Sequence, residues 1–256
     1  MNSIEQYRYF LKDTIRKSIN FRNTDQSQGI PAPPVEKPFN TESVRIPLKA
    51  FDQWPEKIKK KELVSAISAR KSRRNYSSEE LSIEELSFLL WATQGIRKSD
   101  GSNPSFRTVP SAGARHSFET YLFIMNIEGV KKGLYRYLPV ENELLFLDGI
   151  EDMEQQLTHA CFGQNYVARG AVTFVWTTIP YRMEWRYYLA AHRVILLDAG
   201  HVCQNLYLAC EAINAGTCAI GAYDQEELDS LLGVDGTDEF AIYLAPVGKI
   251  KSSTIG

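Results

Sequence analysis

Tyr187 to Ala215 reads YYLAAHRVILLDAGHVCQNLYLACEAINA, an almost unbroken helical pattern with apolar residues on most of its faces. A surface helix keeps one polar face, so a helix that is apolar nearly all round belongs in the middle of a molecule. At about 1.5 Å per residue it would span about 40 Å, longer than a chain of this size needs, as helices at subunit interfaces often are. The flanking sequence is of another kind. Thr120–Ile127 (TYLFIMNI), Gly133–Tyr137, Leu144–Leu147 and Ala171–Thr178 (AVTFVWTT) carry strand signals, and the polar stretch 139–143 makes a hairpin of the second and third. A short helix, Asp224–Leu231, leads to a last strand, Phe240–Val247. Ser82 followed by Glu85 is a capping box that starts a helix ending near Gly95. Before it, Glu62–Ala69 reads as a short helix with Leu63, Val64, Ala66 and Ile67 on one side, and a polar loop spans Ile96–Arg107. Helices interleaved with strands and a hairpin indicate an α+β layer architecture.

The N-terminal part differs. A short helical pattern, Ile4 to Ile15, precedes a stretch from Pro31 to Pro55 that holds six of the eleven prolines. Proline fixes φ and removes an amide donor, which predicts an extended, partly polyproline-II arm over residues 1–55. We expect it to pack on its own body or on a partner subunit, with residues 56–256 forming one domain. The 256 residues are 44% hydrophobic with a net charge of −2, so a sizeable core is available and dedicated nucleic-acid binding is disfavoured. No apolar run approaches the roughly 20 residues of a membrane span, and no signal peptide is evident. Four unpaired cysteines (Cys161, Cys203, Cys210, Cys218) then point to a cytoplasmic protein with reduced thiols.

Neither G-x-G-x-x-G, G-x-x-x-x-G-K-[ST], H-E-x-x-H nor G-x-S-x-G occurs, and no metal site is expected. Arg70-Lys71-Ser72-Arg73-Arg74 stands out. In an extended chain Arg70, Ser72 and Arg74 share one side, and two guanidiniums flanking a hydroxyl suit a phosphate or carboxylate. A solvated basic turn explains the same residues equally well. Pro110-Ser111-Ala112-Gly113 lets backbone approach a flat ligand, and Gly216–Ala222 is a small-residue connector that also reads as a helix C-cap turn. Cys218 lacks a basic partner and is expected to be an inert buried thiol.

In order and spacing, Arg70–Arg74 with Tyr76, Pro110–Gly113 and 216–222 resemble the nitroreductase superfamily. RTVPSAGAR (107–115), GLYRY (133–137), DAGH (198–201) and the arm's Thr24-Asp25-Gln26 and Pro33-Pro34 resemble its SagB-type, thiazoline/oxazoline dehydrogenase-like branch. That resemblance implies a central, mostly antiparallel sheet flanked by helices, with the long helix at a homodimer interface where FMN binds. It implies an FMN-dependent oxidoreductase moving two electrons between flavin and a small organic substrate, with NAD(P)H as a candidate donor. Arg70, Lys71, Ser72 and Arg74 would take the FMN phosphate and ribityl chain. Pro110, Ser111, Ala112 and Gly113 would lie on the ring from the other subunit. Ala219, Ile220 and Gly221 would bring amides to the flavin edge, and Lys249 would either contact the phosphate or lie on the surface. Azoline-oxidising members use a Lys-Tyr pair where this chain reads Arg186-Tyr187. Arginine stays protonated, so azoline oxidation is not expected. Tyr187 is left either to donate a proton or to pack in the core. A non-catalytic reading, a flavin-binding or scaffold partner of a peptide-modifying complex with the arm as contact, stands beside the enzyme.

Overall fold

Phe118–Ile124 is buried at every position, and its alternate side chains feed two separate cores. Phe118, Leu122 and Ile124 belong to one and Tyr121 and Phe123 to the other. A strand with both faces covered loses the apolar/polar alternation of a half-exposed sheet, which is why Tyr121–Ile124 (YLFI) reads as a continuous apolar run.

The computed structural model describes residues 2–97 and 106–251, so most of the loop expected over Ile96–Arg107 lies outside the described residues. In chain order the elements are α1 (Ser3–Phe10), β1 (Arg45–Pro47), α2 (Glu56–Lys59), α3 (Leu63–Ala69), α4 (Ile83–Gln94), β2 (Phe118–Ile124), β3 (Gly133–Leu138), β4 (Glu143–Asp148), α5 (Met153–Ala160), β5 (Val172–Thr178), α6 (Tyr181–Tyr187), α7 (Ala191–Ala212), β6 (Ala215–Thr217), α8 (Gln225–Leu232) and β7 (Phe240–Lys249). Among the described residues the strands form one antiparallel sheet in the order β1-β4-β3-β2-β5-β7-β6. Helices α4 and α7 cover one face through Leu86, Leu89, Leu90, Val202 and Leu206. Helices α5 and α8 cover the other through Met153, Leu157, Leu228 and Leu232. The Ser82 box forms as expected, Ser82 Oγ accepting from Glu85 N at 3.2 Å and Glu85 accepting from Ser82 N at 3.1 Å. No helix among the described residues is long and apolar enough to cross a membrane.

The long helix is shorter than its sequence pattern. The chain breaks at Tyr188, whose φ of 47° and ψ of −132° no helix accepts. Helix α7 proper has 22 residues, about 33 Å. It stops before Asn214 (φ 52°), after which Ala215–Thr217 pairs with β7 as an edge strand instead of continuing the helix. Its faces are not all buried: Leu196 and Leu197 are about half exposed. Likewise only Ala66 of the apolar side of α3 is buried, with Leu63, Val64 and Ile67 open to solvent.

The arm packs on its own body. Strand β1 adds the outer edge of the sheet beside β4, and Pro47 sits where an edge strand tolerates a missing donor. The extended stretch before it makes no internal backbone ladder, so its carbonyls are free to accept. Buried arginines of the body use them: Arg107 donates to Val35 O at 2.8 Å and Arg136 to Lys37 O at 2.9 Å. Trp185 Nε1 donates to Ile30 O at 2.9 Å, and Lys37 N to Glu119 Oε1 at 2.8 Å.

Glu36 of the arm accepts from Val140 N at 3.1 Å. Burial first, then a shared hydrogen bond with Glu141, raises its pKa from 4.5 to about 8. The folded state therefore holds a proton that the unfolded state releases, and stability falls as pH rises between those two values. Thermal melts across that window should show this decline, and Glu36→Gln, which keeps the hydrogen bond without the charge, should flatten it.

Candidate functional site

Residues 70–77 run as extended chain along the β6 edge of the sheet. Arg73 N donates to Thr217 O at 2.9 Å and Ser77 N to Lys249 O at 2.8 Å. Alternation then sorts the side chains. Arg73 turns inward and pairs with buried Glu211 at 3.3 Å. Arg70 and Arg74 do not: their guanidiniums stand over the rings of Tyr207 and Tyr166, 5.3 and 5.5 Å from the centroids. Ser72 Oγ lies 2.9 Å from Tyr207 Oη. Among the described residues neither Arg70 nor Arg74 has a carboxylate partner, and Lys71 is exposed without an ion pair.

Two glycines make this seat possible. Gly216 and Gly248 are partners across β6 and β7, and a Cβ on them would stand 2.5 Å from Arg73 Cδ and 2.8 Å from Tyr76 Cγ. Gly216→Ala also brings that Cβ within 2.8 Å of Arg73 Cβ, which rotation of the side chain does not relieve. The expected loss is about 1–3 kcal/mol, read as a lower thermal midpoint.

The connector joins the same surface, because Ala219 N donates to Tyr207 Oη at 2.9 Å. Its amides correct an expectation, however. Ala219 is spent on Tyr207, and Ile220 N is spent on Leu244 O at 2.8 Å. Gly221 is exposed, and among the described residues no hydrogen bond engages its amide, which leaves it as the one in this group to face a ligand. Cys218 is buried. Lys249 meets neither expectation: it is not on the surface, and its Nζ is committed to Glu85 Oε1 at 2.5 Å and Ile213 O at 2.9 Å, which makes it part of the scaffold.

The Pro110–Gly113 loop belongs to a second cluster. Ala112 N donates to Asp198 Oδ2 at 3.2 Å, and Ser111 Oγ accepts from His116 N at 3.0 Å. Burial pushes the Asp198 carboxyl above its ordinary range, against the lowering effect of the Ser111 and Ala112 hydrogen bonds. Gly113 has φ +59°, and a Cβ there would stand 2.6 Å from Tyr187 Oη and 2.9 Å from Arg186 Nε. Tyr187 is half-buried against the core and keeps its hydroxyl at this loop. Asp198 and Tyr207 are nine residues apart on α7, about 14 Å along its axis. The chain therefore carries two clusters: a row of cations and hydroxyls toward one end of α7, and a small-residue loop against Arg186 and Tyr187 toward the other.

Residues 67–249, which contain both clusters, match the family model described as the nitroreductase family. The chain belongs to the nitroreductase family. As a member it is an oxidoreductase of the nitroreductase type, and flavin is the cofactor such proteins generally bind. "Putative nitroreductase MJ1384" of Methanocaldococcus jannaschii is 31% identical over 193 residues, 75% of this nitroreductase and 93% of that protein. A crystal structure of a nitroreductase-named protein from Anabaena variabilis superposes with a TM-score of 0.67 at 25% identity, over 82% of this chain but only 42% of that one. The present chain thus spans less than half of that relative. A chain of the Escherichia coli microcin synthetase McbBCD complex, with truncated pro-MccB17 bound, superposes with a TM-score of 0.60 at 18% identity and covers 98% of both chains. Its likeness shows the fold, here including the arm. The fold is the nitroreductase-like α+β arrangement expected from the sequence.

Proposed function

We propose that this nitroreductase is a homodimeric FMN oxidoreductase of the SagB-type branch, passing two electrons between flavin and a small organic substrate. One observation carries the reading. The Ser72 hydroxyl and the Ala219 amide meet on Tyr207, flanked by two guanidiniums that no acid among the described residues neutralises. A phosphate fits that donor set, since its charge supplies what the row lacks. Arg70, Lys71, Ser72 and Arg74 would hold the phosphate and the ribityl end, and the open amide of Gly221 would face the flavin edge. Bound FMN supplies two-electron, hydride-type chemistry that no side chain of the protein offers. Tyr187, with its hydroxyl at the Gly113 loop, would hold or give a proton at Oη.

The two clusters on α7 support the dimer. A second protomer would bring its Pro110–Gly113 loop to the first protomer's arginine row, and the exposed Leu63, Val64, Ile67, Leu196 and Leu197 offer apolar surface to bury in doing so. The branch assignment is supported by the motif order and by the McbBCD neighbour, whose fold matches through the arm. The arm's contacts with its own body favour the enzyme over a scaffold that spends the arm on a partner. Anaerobic NADH or NADPH should bleach the flavin of the purified protein. Sedimentation of a fully flavin-loaded monomer would contradict the shared site.

A further inference from the structure

Around the Gly113 loop the charges do not balance. Arg115 stacks on the Trp185 ring, 4.7 Å from its centroid, and donates from Nε to Arg182 O at 3.4 Å. Trp185 is itself fixed by the arm through Gln26 N and Ile30 O. Arg186 stands over its neighbour Tyr187 and lies against Gly113. Among the described residues the carboxylates of the region are committed elsewhere. Glu119 belongs to Arg182 at 2.5 Å, Glu184 to His192 at 2.7 Å, and Asp198 to Ala112 and Ser111. Asp25 accepts from Tyr181 Oη at 2.8 Å. Among the described residues no acid lies within ion-pair distance of Arg115 or Arg186. Burial and the nearby Arg186 charge both lower the Arg115 pKa, so the two cations feel each other. Two half-buried guanidiniums beside a hydroxyl, in a space that glycine keeps open, form a donor fork shaped for an oxyanion.

We infer that Arg115 and Arg186, with Tyr187 Oη, form a subsite for an anionic oxygen group on the substrate, a carboxylate or a phosphate. The inference rests on the proposed function in taking this loop to border the reacting centre. An anion there relieves the Arg115–Arg186 repulsion and fixes the far end of the substrate, whereas a neutral analogue leaves both cations unpaired.

The test is calorimetric titration of the purified, FMN-loaded protein with benzoate, phenyl phosphate and benzamide. At least one anion should bind about tenfold or more tighter than benzamide, and the better anion identifies the carboxylate or the phosphate as the source. Arg115→Gln and Arg186→Gln should each remove most of that advantage. Arg186→Lys, which keeps the charge but not the fork, should retain part of it and guards against a variant that fails to fold. Equal binding of all three probes overturns the inference, as does an anion advantage that survives both glutamine variants. FMN retention separates this from failure of the wider reading. Arg115→Gln and Arg186→Gln proteins that keep FMN while losing the anion advantage support the subsite. Loss of FMN from them, with retention in an Arg70/Arg74 variant, would put the flavin phosphate here and overturn both assignments.

Discussion

Replacing Arg70 and Arg74 together with alanine should weaken FMN binding by about a hundredfold or more and leave thermal stability nearly unchanged. Both expectations come from the same geometry. The two guanidiniums stand over Tyr207 and Tyr166 without an acid, so truncation orphans no buried carboxylate. The inward residue of the row, Arg73, keeps its pair with Glu211, and the Ser72–Tyr207–Ala219 chain stays in place. A phosphate would then meet one hydroxyl and a lysine where it had met two charged forks, and charge-assisted hydrogen bonds are the stronger kind. Fluorescence titration of the apoprotein reads the change. Unaltered affinity would remove the phosphate from this row.

Arg182→Met should have the largest effect on stability. Arg182 and Glu119 are a 2.5 Å ion pair whose side chains are only 3% and 2% exposed. The same Glu119 oxygen accepts from Lys37 N of the arm at 2.8 Å. Removing the cation leaves a buried carboxylate without its partner, a loss of about 3–5 kcal/mol for buried pairs. Arg107 lies close enough to Glu119 to feel its charge, which places the loss toward the lower end, about 6–12 °C in thermal midpoint. A companion Glu119→Leu should restore part of it, because it removes the orphaned charge but leaves the Lys37 amide unmatched. A thermal midpoint unchanged in Arg182→Met would show that the pair does not anchor the arm to the sheet.

Local signals carried most of the fold. The Ser82–Glu85 box, the β3–β4 hairpin and the short helix over Asp224–Leu231 each rest on residues within a few positions of one another; the first two form as the sequence indicates, and the third is α8, Gln225–Leu232, with Asp224 as its cap. The helical pattern of the sequence runs past the helix itself because the limits of α7 are tertiary. Tyr188 carries no turn signature, yet its positive φ ends α6, and Ala215–Thr217 leaves the helix only because β7 offers it hydrogen bonds. Asn214 was the one available cue, since asparagine tolerates the left-handed conformation that ends helices. At the site, period-two alternation separated Arg70 and Arg74 from Arg73 correctly. The tyrosines beneath them were invisible, because Tyr207 lies 135 residues from Ser72 and looks like any helical core residue. The commitment of Lys249 is hidden from sequence for a similar reason: its partner Glu85 is 164 positions away, already occupied by a cap that sequence does reveal.

The visible absorption spectrum of the purified protein, before and after addition of FMN, tests the central claim most directly. A flavin spectrum, with FMN as the species released on denaturation and Arg70 and Arg74 required to retain it, is the predicted result. A protein that stays colourless in the presence of excess FMN would contradict it.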